Sequence, residues 1–239
     1  MPAKEKIRKM FDNISGDYDS LNHLMSLNID RGWRRRALRW ILDAPQGLDR
    51  PWQVLDIACG TGDFSIAAAK AMKGKRMSGH VTGADISEGM LGVMRDKVAG
   101  EGLEDMISVE TGDCEDLAYA DNSFDRVTVA FGVRNFEKKE TALREVLRVL
   151  RPGGRFVMLE LSLPGNPLLR WLYNSYFFAV SKLGGIISGN KASYRYLPES
   201  VVRFPGPKQW IPFMESCGFR CVSERALSLG ICRLYTGEK

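Results

Sequence analysis

The stretch "FRCVSERALSLGICRLYTGE", residues 219–238, holds two short runs with strand composition on either side of "SLG". A three-residue link suits an antiparallel hairpin, whereas parallel neighbours need a crossover of a dozen residues or more. The chain therefore ends in a hairpin, and its architecture depends on what precedes that hairpin.

Upstream, β-branched runs alternate with helical patterns. "WQVLDIA" (52–58), "HVTGADIS" (80–87), "ISVETGD" (107–113), "FDRVTVAFG" (124–132) and "RFVMLEL" (155–161) read as strands. Helices are expected at 64–73, at 88–98 and over "ETALREVLRVL", where Leu143, Val146, Leu147 and Leu150 recur at i, i+3, i+4 and i+7. "PGG" (152–154) stops the last of these. Strand–helix alternation implies βαβ units and a parallel sheet covered on both faces. A seven-stranded, mostly parallel sheet closed by an antiparallel hairpin points to the class I (Rossmann-like) methyltransferase fold within the α/β class.

Composition agrees with one globular unit over 1–239. The 239 residues are 44% hydrophobic and 26% charged, with no internal repeat or low-complexity tract. We divide the unit into an N-terminal helical cap (1–45), a core (46–163), an insert (164–212) and the hairpin (213–239). "MPAKEKIRKMFDN" lacks the apolar segment of a secretory signal, so a cytoplasmic chain is expected. Cys59, Cys114, Cys217, Cys221 and Cys232 include no C-x-x-C pair, and with His23 and His80 the only histidines, no metal site is expected. The last three cysteines read as buried small apolar residues.

The net charge of +5 is unevenly spread: 41–165 is acidic while 1–40 and 166–239 are basic. Basic flanks on one side would suit an anionic partner such as a membrane surface or nucleic acid. In "GWRRRALRWILD", Trp33, Ala37, Trp40 and Ile41 share a face, with Arg34, Arg35, Arg36 and Arg39 mostly off it. The insert runs eleven residues without charge between Arg170 and Lys182, too short to span a bilayer. It fits a buried cap helix, an interfacial helix or a substrate-pocket wall.

"VLDIACGTGDF" (54–64) ends a strand in a glycine turn that opens a helix, bringing backbone amides near a ligand. A dinucleotide loop wants G-x-G-x-x-G, but Gly60 and Gly62 are followed by Ser65; a phosphate loop's lysine is also missing. Asp56 four residues before Gly60 would repel a pyrophosphate and suits a ligand carrying ammonium and sulfonium, as S-adenosyl-L-methionine does. Asp85, at the end of the second strand, is placed to accept ribose hydroxyls. Asp113 can accept from an adenine amino group while the Cys114 amide donates to the ring.

With these residues in place, the chain resembles the ubiquinone/menaquinone biosynthesis methyltransferase family over nearly its whole length. The resemblance rests on "MFDNISGDYDSLNHLMSLNIDRGWR" (10–34), "VLDIACGTGDF", "GADISEGML" (83–91), "FGVRNF" (131–136), "RVLRPGGRFVMLELS" (148–162) and "YRYLPESV" (194–201). It implies that Thr61, Asp85, Asp113 and Cys114 contact S-adenosyl-L-methionine. Tyr18, Asp19, Asn22, Ser26 and Trp33 fit the family's N-terminal signature Y-D-x-M-N, serine, histidine and tryptophan, with Leu21 at the methionine position, but Asp30 stands in place of its histidine. Ala130 replaces a serine often found before "FG", which removes one polar contact to the cofactor.

The implied reaction carries a methyl group from the sulfonium to a ring carbon of a 2-polyprenyl-1,4-naphthoquinol. Attack from carbon needs a quinol losing its hydroxyl proton, so the protein must favour the oxyanion and align carbon, methyl and sulfur. Arg134, at the end of the fourth strand, is the candidate to stabilise the oxyanion, because guanidinium stays charged and donates in a fixed fork. Asn135 would orient the ring or a water, and Tyr18, Tyr194 and Tyr196 can hydrogen-bond a quinol oxygen or pack against it. Asp30, a tyrosine and bound water all remain candidates for the base. A lipid-tailed substrate implies transient contact with the membrane surface, made by the basic helix and the aromatic insert. Nucleic acid is not an expected partner, since no RNA-binding module is recognisable; a homodimer stays open. A benzoquinol, oxygen or nitrogen acceptor, an RNA methyltransferase and a non-catalytic binding protein are the competing readings.

Overall fold

The seven predicted strands form one sheet in the computed structural model, in the order β3-β2-β1-β4-β5-β7-β6. They are β1 (Trp52–Ile57), β2 (Gly79–Asp85), β3 (Ile107–Thr111), β4 (Phe124–Ala130), β5 (Leu150–Leu161), β6 (Arg220–Leu227) and β7 (Cys232–Glu238). The structure describes residues 4–16, 18–19, 28–44, 49–176 and 191–239, and side chains at 191–195 and 197 are excluded from that description. The first five strands run parallel. β7 is antiparallel both to β5 and to β6, which confirms the hairpin and seats its second strand inside the sheet.

Strand periodicity sends successive side chains to opposite faces, and both faces are covered. Val54, Val157, Leu159 and Leu234 join one core with Trp33, Ala37, Phe64, Met72 and Met94 from the helices Ile29–Ile41, Asp63–Gly74 and Glu88–Gly100. Leu55, Phe156, Met158 and Tyr235 join the other with Leu143, Val146, Trp210 and Met214 from the helices Lys139–Val149 and Pro207–Ser216.

Two boundaries and one expected burial differ from the sequence reading. β5 starts at Leu150, not at 155, and "PGG" lies within it as an excursion where Gly153 takes φ +74°. Between Phe124↔Leu150 and Arg126↔Arg155 the register shifts, so the extra residues bulge from the ladder rather than separate helix from strand. Leu150 is accordingly buried as a strand residue, while Leu143 and Val146 are buried on the helix as expected. The helix Pro207–Ser216 also crosses the 212/213 boundary drawn between insert and hairpin. Cys217 and Cys232 are buried, but Cys221 is exposed, because it lies in the irregular stretch between the Arg220 and Ser223 pairings of β6.

In the insert, residues 167–176 are helical, followed after a gap in the description by the helix Lys191–Arg203. The helix Lys4–Ile14 packs over the helix Glu88–Gly100. Its Asp12 Oδ1 accepts from Ser87 Oγ (2.6 Å) and Gly89 N (3.2 Å), joining the cap at that helix's N-terminus.

Candidate active site

The sequence "DIACGTGDF" leaves β1 through Ala58 at φ +48°, Gly60 at +57° and Gly62 at +80°. Successive left-handed residues fold the loop tightly enough to open the helix Asp63–Gly74 at once. A Cβ at Gly62 would lie 2.8 Å from Met94 Sδ, so this glycine serves close packing; it is in the walls of none of the cavities described below. Phe131, leaving β4, also has φ +63°, and Gly132 lies so near Ala58 that a Cβ would meet Ala58 Cβ at 2.8 Å. Non-glycine residues at positive φ cluster where surrounding structure forces them, and here they line the cleft at the strand ends.

A cavity of about 710 Å³ opens there, walled by Tyr18, Gly60, Asp85, Met90, Asp113, Cys114, Phe131 and Asn135, with Lys4, Ile7 and Phe11 from the first helix. A smaller cavity of about 370 Å³ continues past Gly60, walled by Arg34, Asp56, Thr61 and Asp63. Tyr18, Ala58, Gly60, Ala130 and Phe131 wall both, so the two make one groove across the glycine loop.

Asp56, Asp85 and Asp113 lie along the groove, each with defined partners. Asp85 Oδ2 accepts from Gly60 N and Oδ1 from Ser87 N, both at 2.9 Å. Burial raises the Asp85 carboxyl above its usual range, against the pull of those amides. Asp56 is fully enclosed and accepts from Ser65 Oγ (2.6 Å) and Thr128 Oγ1 (2.8 Å). Burial pushes its carboxyl up to about 6. The Ser65 that broke the dinucleotide pattern is thus the residue that holds Asp56. Asp113 Oδ2 accepts from Lys4 Nζ (2.6 Å), which also reaches Glu115 (2.9 Å). Burial raises the Cys114 thiol, with the negative charge of Asp113 and Glu115 adding to it. Thr61 Oγ1 donates to Asp19, and Lys97 bonds Asp19 and Asp63.

On the acceptor side, Tyr196 Oη donates to Asn135 Oδ1 at 2.8 Å. Asn135 walls the first groove. Tyr196 walls a third cavity of about 880 Å³ together with Arg134, Lys139, Ser200, Phe204 and Trp210. Arg134 Nη1 pairs with Glu160 Oε1 (2.7 Å) and also donates to Phe131 O, and Nε reaches Ser200 Oγ (3.2 Å). Burial works to lower the Arg134 guanidinium, but Glu160 outweighs it and the group stays charged. Arg134 therefore faces the third cavity with its charge already balanced. Burial raises the Tyr196 phenol, so it is a donor at neutral pH. Tyr194's side chain, together with Leu21, Asn22 and Ser26, lies outside the described residues. Sequence reasoning missed Glu160, although an acidic residue within the apolar run "VMLEL" was a visible signal. It also missed Lys4.

One expectation is overturned. Arg34 is not a surface cation: its side chain is only 12% exposed, paired with the buried Asp30 and near Asp63. It stands at the edge of the stripe that buries Asp30, Ala37 and Ile41, with the Phe131 ring centroid 5.5 Å from its Cζ. Arg31, Arg35, Arg36 and Arg39 do remain exposed.

A family model described as the ubiE/COQ5 methyltransferase family matches residues 2–239. The chain belongs to the ubiE/COQ5 methyltransferase family. It is 42% identical to a demethylmenaquinone methyltransferase of Bacteroides fragilis, across 98% of this chain and 93% of that one. It is also 42% identical to the ubiquinone/menaquinone biosynthesis C-methyltransferase UbiE of Geobacter sulfurreducens, across 98% and 89%. Among solved structures, a putative S-adenosyl-L-methionine-dependent methyltransferase of Methanococcus maripaludis superimposes with a TM-score of 0.61 at 18% identity, covering 97% of this chain and 93% of that one. That likeness establishes the class I fold. The protein is an S-adenosyl-L-methionine-dependent C-methyltransferase.

Proposed function

We propose that this methyltransferase converts demethylmenaquinol to menaquinol at the Asn135–Tyr196 junction between the cofactor groove and the third cavity. The hydrogen bond between those residues carries the reading. With Asn135 Oδ1 taken by Tyr196, the amide presents its Nδ2 donors to a quinol oxygen on the groove side. The names of the two relatives supply the substrate class.

S-Adenosyl-L-methionine brings a sulfonium-activated methyl group. Asp85 accepts from the ribose hydroxyls, each of its oxygens keeping a lone pair beyond the one used by Gly60 or Ser87. Asp113 and the Cys114 amide serve the adenine edge, and Gly60 lets the backbone approach. Asp56 adds negative potential below the cationic end, with Thr61 fixing the loop through Asp19. On the acceptor side Asn135 and Tyr18 position the ring, and the buried Arg134, its charge balanced by Glu160, holds the turn that carries Asn135. The third cavity, with Phe204, Trp210 and Phe213 in its walls, takes the first part of the apolar tail.

A lipid-tailed quinol must be collected from a bilayer. Leu168, Trp171 and Leu172 are exposed together on the helical segment 167–176 at i, i+3 and i+4, at 65%, 63% and 49%. They form the apolar part of the docking surface, and Arg31, Arg35, Arg36 and Arg39 contribute cations. No helix among the described residues is long and apolar enough to cross a membrane.

Turnover of a short-chain demethylmenaquinol, with mass analysis locating the new methyl, tests the reaction; methyl on ring carbon is expected and methyl on oxygen overturns it. Preference for a demethylated benzoquinol would move the protein to the ubiquinone branch. Trp171→Ala with Leu168→Ala should lower liposome binding and turnover of the long-tailed quinol while sparing the short-chain one. Equal loss on both substrates removes the docking role.

A further inference from the structure

We infer that Arg34 is the anchor for the α-carboxylate of the cofactor's methionine moiety. Its guanidinium stands in the wall of the smaller cavity beyond Gly60, opposite the end bearing Asp85 and Asp113. A ligand lying along the groove with its nucleoside at Asp113 carries its amino-acid end into this cavity. The cavity offers Asp56 and Asp63 for an ammonium and, among the residues walling it, Arg34 as the cation for a carboxylate.

The hydrogen bonding of Arg34 separates this role from a structural one. Both of its ion pairs, to Asp30 and Asp63, use Nη1. Its Nε is buried and has no hydrogen-bond partner. Buried donors are nearly always satisfied, so a buried charged one without a partner, on a residue that walls a cavity, calls for an acceptor. Arg126 shows what a structural arginine looks like in this protein: Nε donates to Trp40 O (2.9 Å), Nη1 to Asp125 O (2.8 Å) and Nη2 to Asp43 O (2.7 Å). In Arg34 the Nη1 side is held by acids, which leaves the Nε–Nη2 edge, the fork that matches a carboxylate in two parallel bonds. Asp30 fixes the guanidinium from behind, and Phe131, with its ring centroid 5.5 Å from Cζ, flanks it.

The inference rests on S-adenosyl-L-methionine as methyl donor, and the test keeps the two apart. S-Adenosylhomocysteine carries the carboxylate; 5′-methylthioadenosine shares the nucleoside and the thioether but lacks the amino-acid end. Calorimetric affinities of both are measured for the wild type, Arg34→Gln and Arg34→Lys. We expect Arg34→Gln to weaken S-adenosylhomocysteine about tenfold to a hundredfold, to leave 5′-methylthioadenosine within about twofold, and Arg34→Lys to fall between. An unchanged ratio of the two affinities in either variant overturns the assignment. Failure of both nucleosides to bind the wild type would instead overturn the cofactor reading. Should Arg34→Gln not fold, the ratio in Arg34→Lys decides.

Discussion

Tyr196 Oη and Asn135 Oδ1, 2.8 Å apart, tie the insert to the end of β4 across 61 residues of sequence. The bond fixes the orientation of the Asn135 amide beside the cofactor groove. Tyr196→Phe removes one neutral hydrogen bond, so kcat for the short-chain quinol should fall about twofold to tenfold. Affinity for S-adenosylhomocysteine should stay constant, because no groove residue is altered. Steady-state kinetics with calorimetry checks this, and an unchanged kcat would detach the insert from the chemistry.

Arg134 and Glu160 form a pair with side-chain exposures of 6% and 1%. Breaking a buried pair from one side strands the other charge, at about 3–5 kcal/mol. Glu160→Gln should therefore lower Tm by roughly 6–20 °C. The double variant Glu160→Gln with Arg134→Met should regain part of that loss while remaining inactive. Thermal unfolding of both variants reads the comparison; a single variant as stable as wild type speaks against an electrostatic pair.

Gly62 faces Met94 across the loop, with φ +80°. Gly62→Ala imposes both a left-handed alanine and an overlap, and should cost about 2–4 kcal/mol. Met94→Ala relieves the overlap but opens a cavity of its own. The two substitutions should thus be less destabilising together than their sum. A double-mutant cycle in urea measures the coupling, and strict additivity would mean that the loop moves aside instead.

Asp56 supplies a pH signature. Its carboxyl is raised to about 6 by burial, against the bonds from Ser65 and Thr128. The folded state then holds a proton more tightly than the unfolded chain. As pH rises from about 4 to 6 the unfolded carboxyl ionises first and stability declines, by about 3 kcal/mol, and is level above that window. Asp85 shifts in the same direction, so Asp56→Asn should keep part of the slope and lose the rest. Urea midpoints at pH 4, 5, 6 and 7 for both proteins suffice; parallel profiles would place the titration elsewhere.

Local signals carried most of the fold. β-Branched runs bounded by Gly, Asp and Pro marked the strands, and a three-residue link forced the hairpin. The acids of the proposed cofactor face were legible as a group because they stand where strands end, positions that chain periodicity reveals. Arg34 was misread for a physical reason: at 100° per residue it stands only about 20° from Ile41, at the edge of the same buried arc as Asp30 and Ala37, and its ion pair to Asp30 lets a cation sit there. Lys4 was illegible because its partners, Asp113 and Glu115, lie more than a hundred residues away. The bulge at "PGG" was hidden because the same residues that end helices also let a strand step out of register.

The position of β7 has a consequence for assembly. β6 precedes it in the chain, yet pairs in the sheet with β7 alone, and the edge of β5 is closed by β7 as well. Sheet growth beyond β5 therefore runs against chain order: β6 reaches the sheet only through β7, so the hairpin must be complete before or as it docks on β5. Until it docks, β5 exposes a long edge bearing "RFVMLEL", which another copy's strand could occupy. Refolding yield should accordingly fall with protein concentration through a step that substitutions in β6 and β7 control.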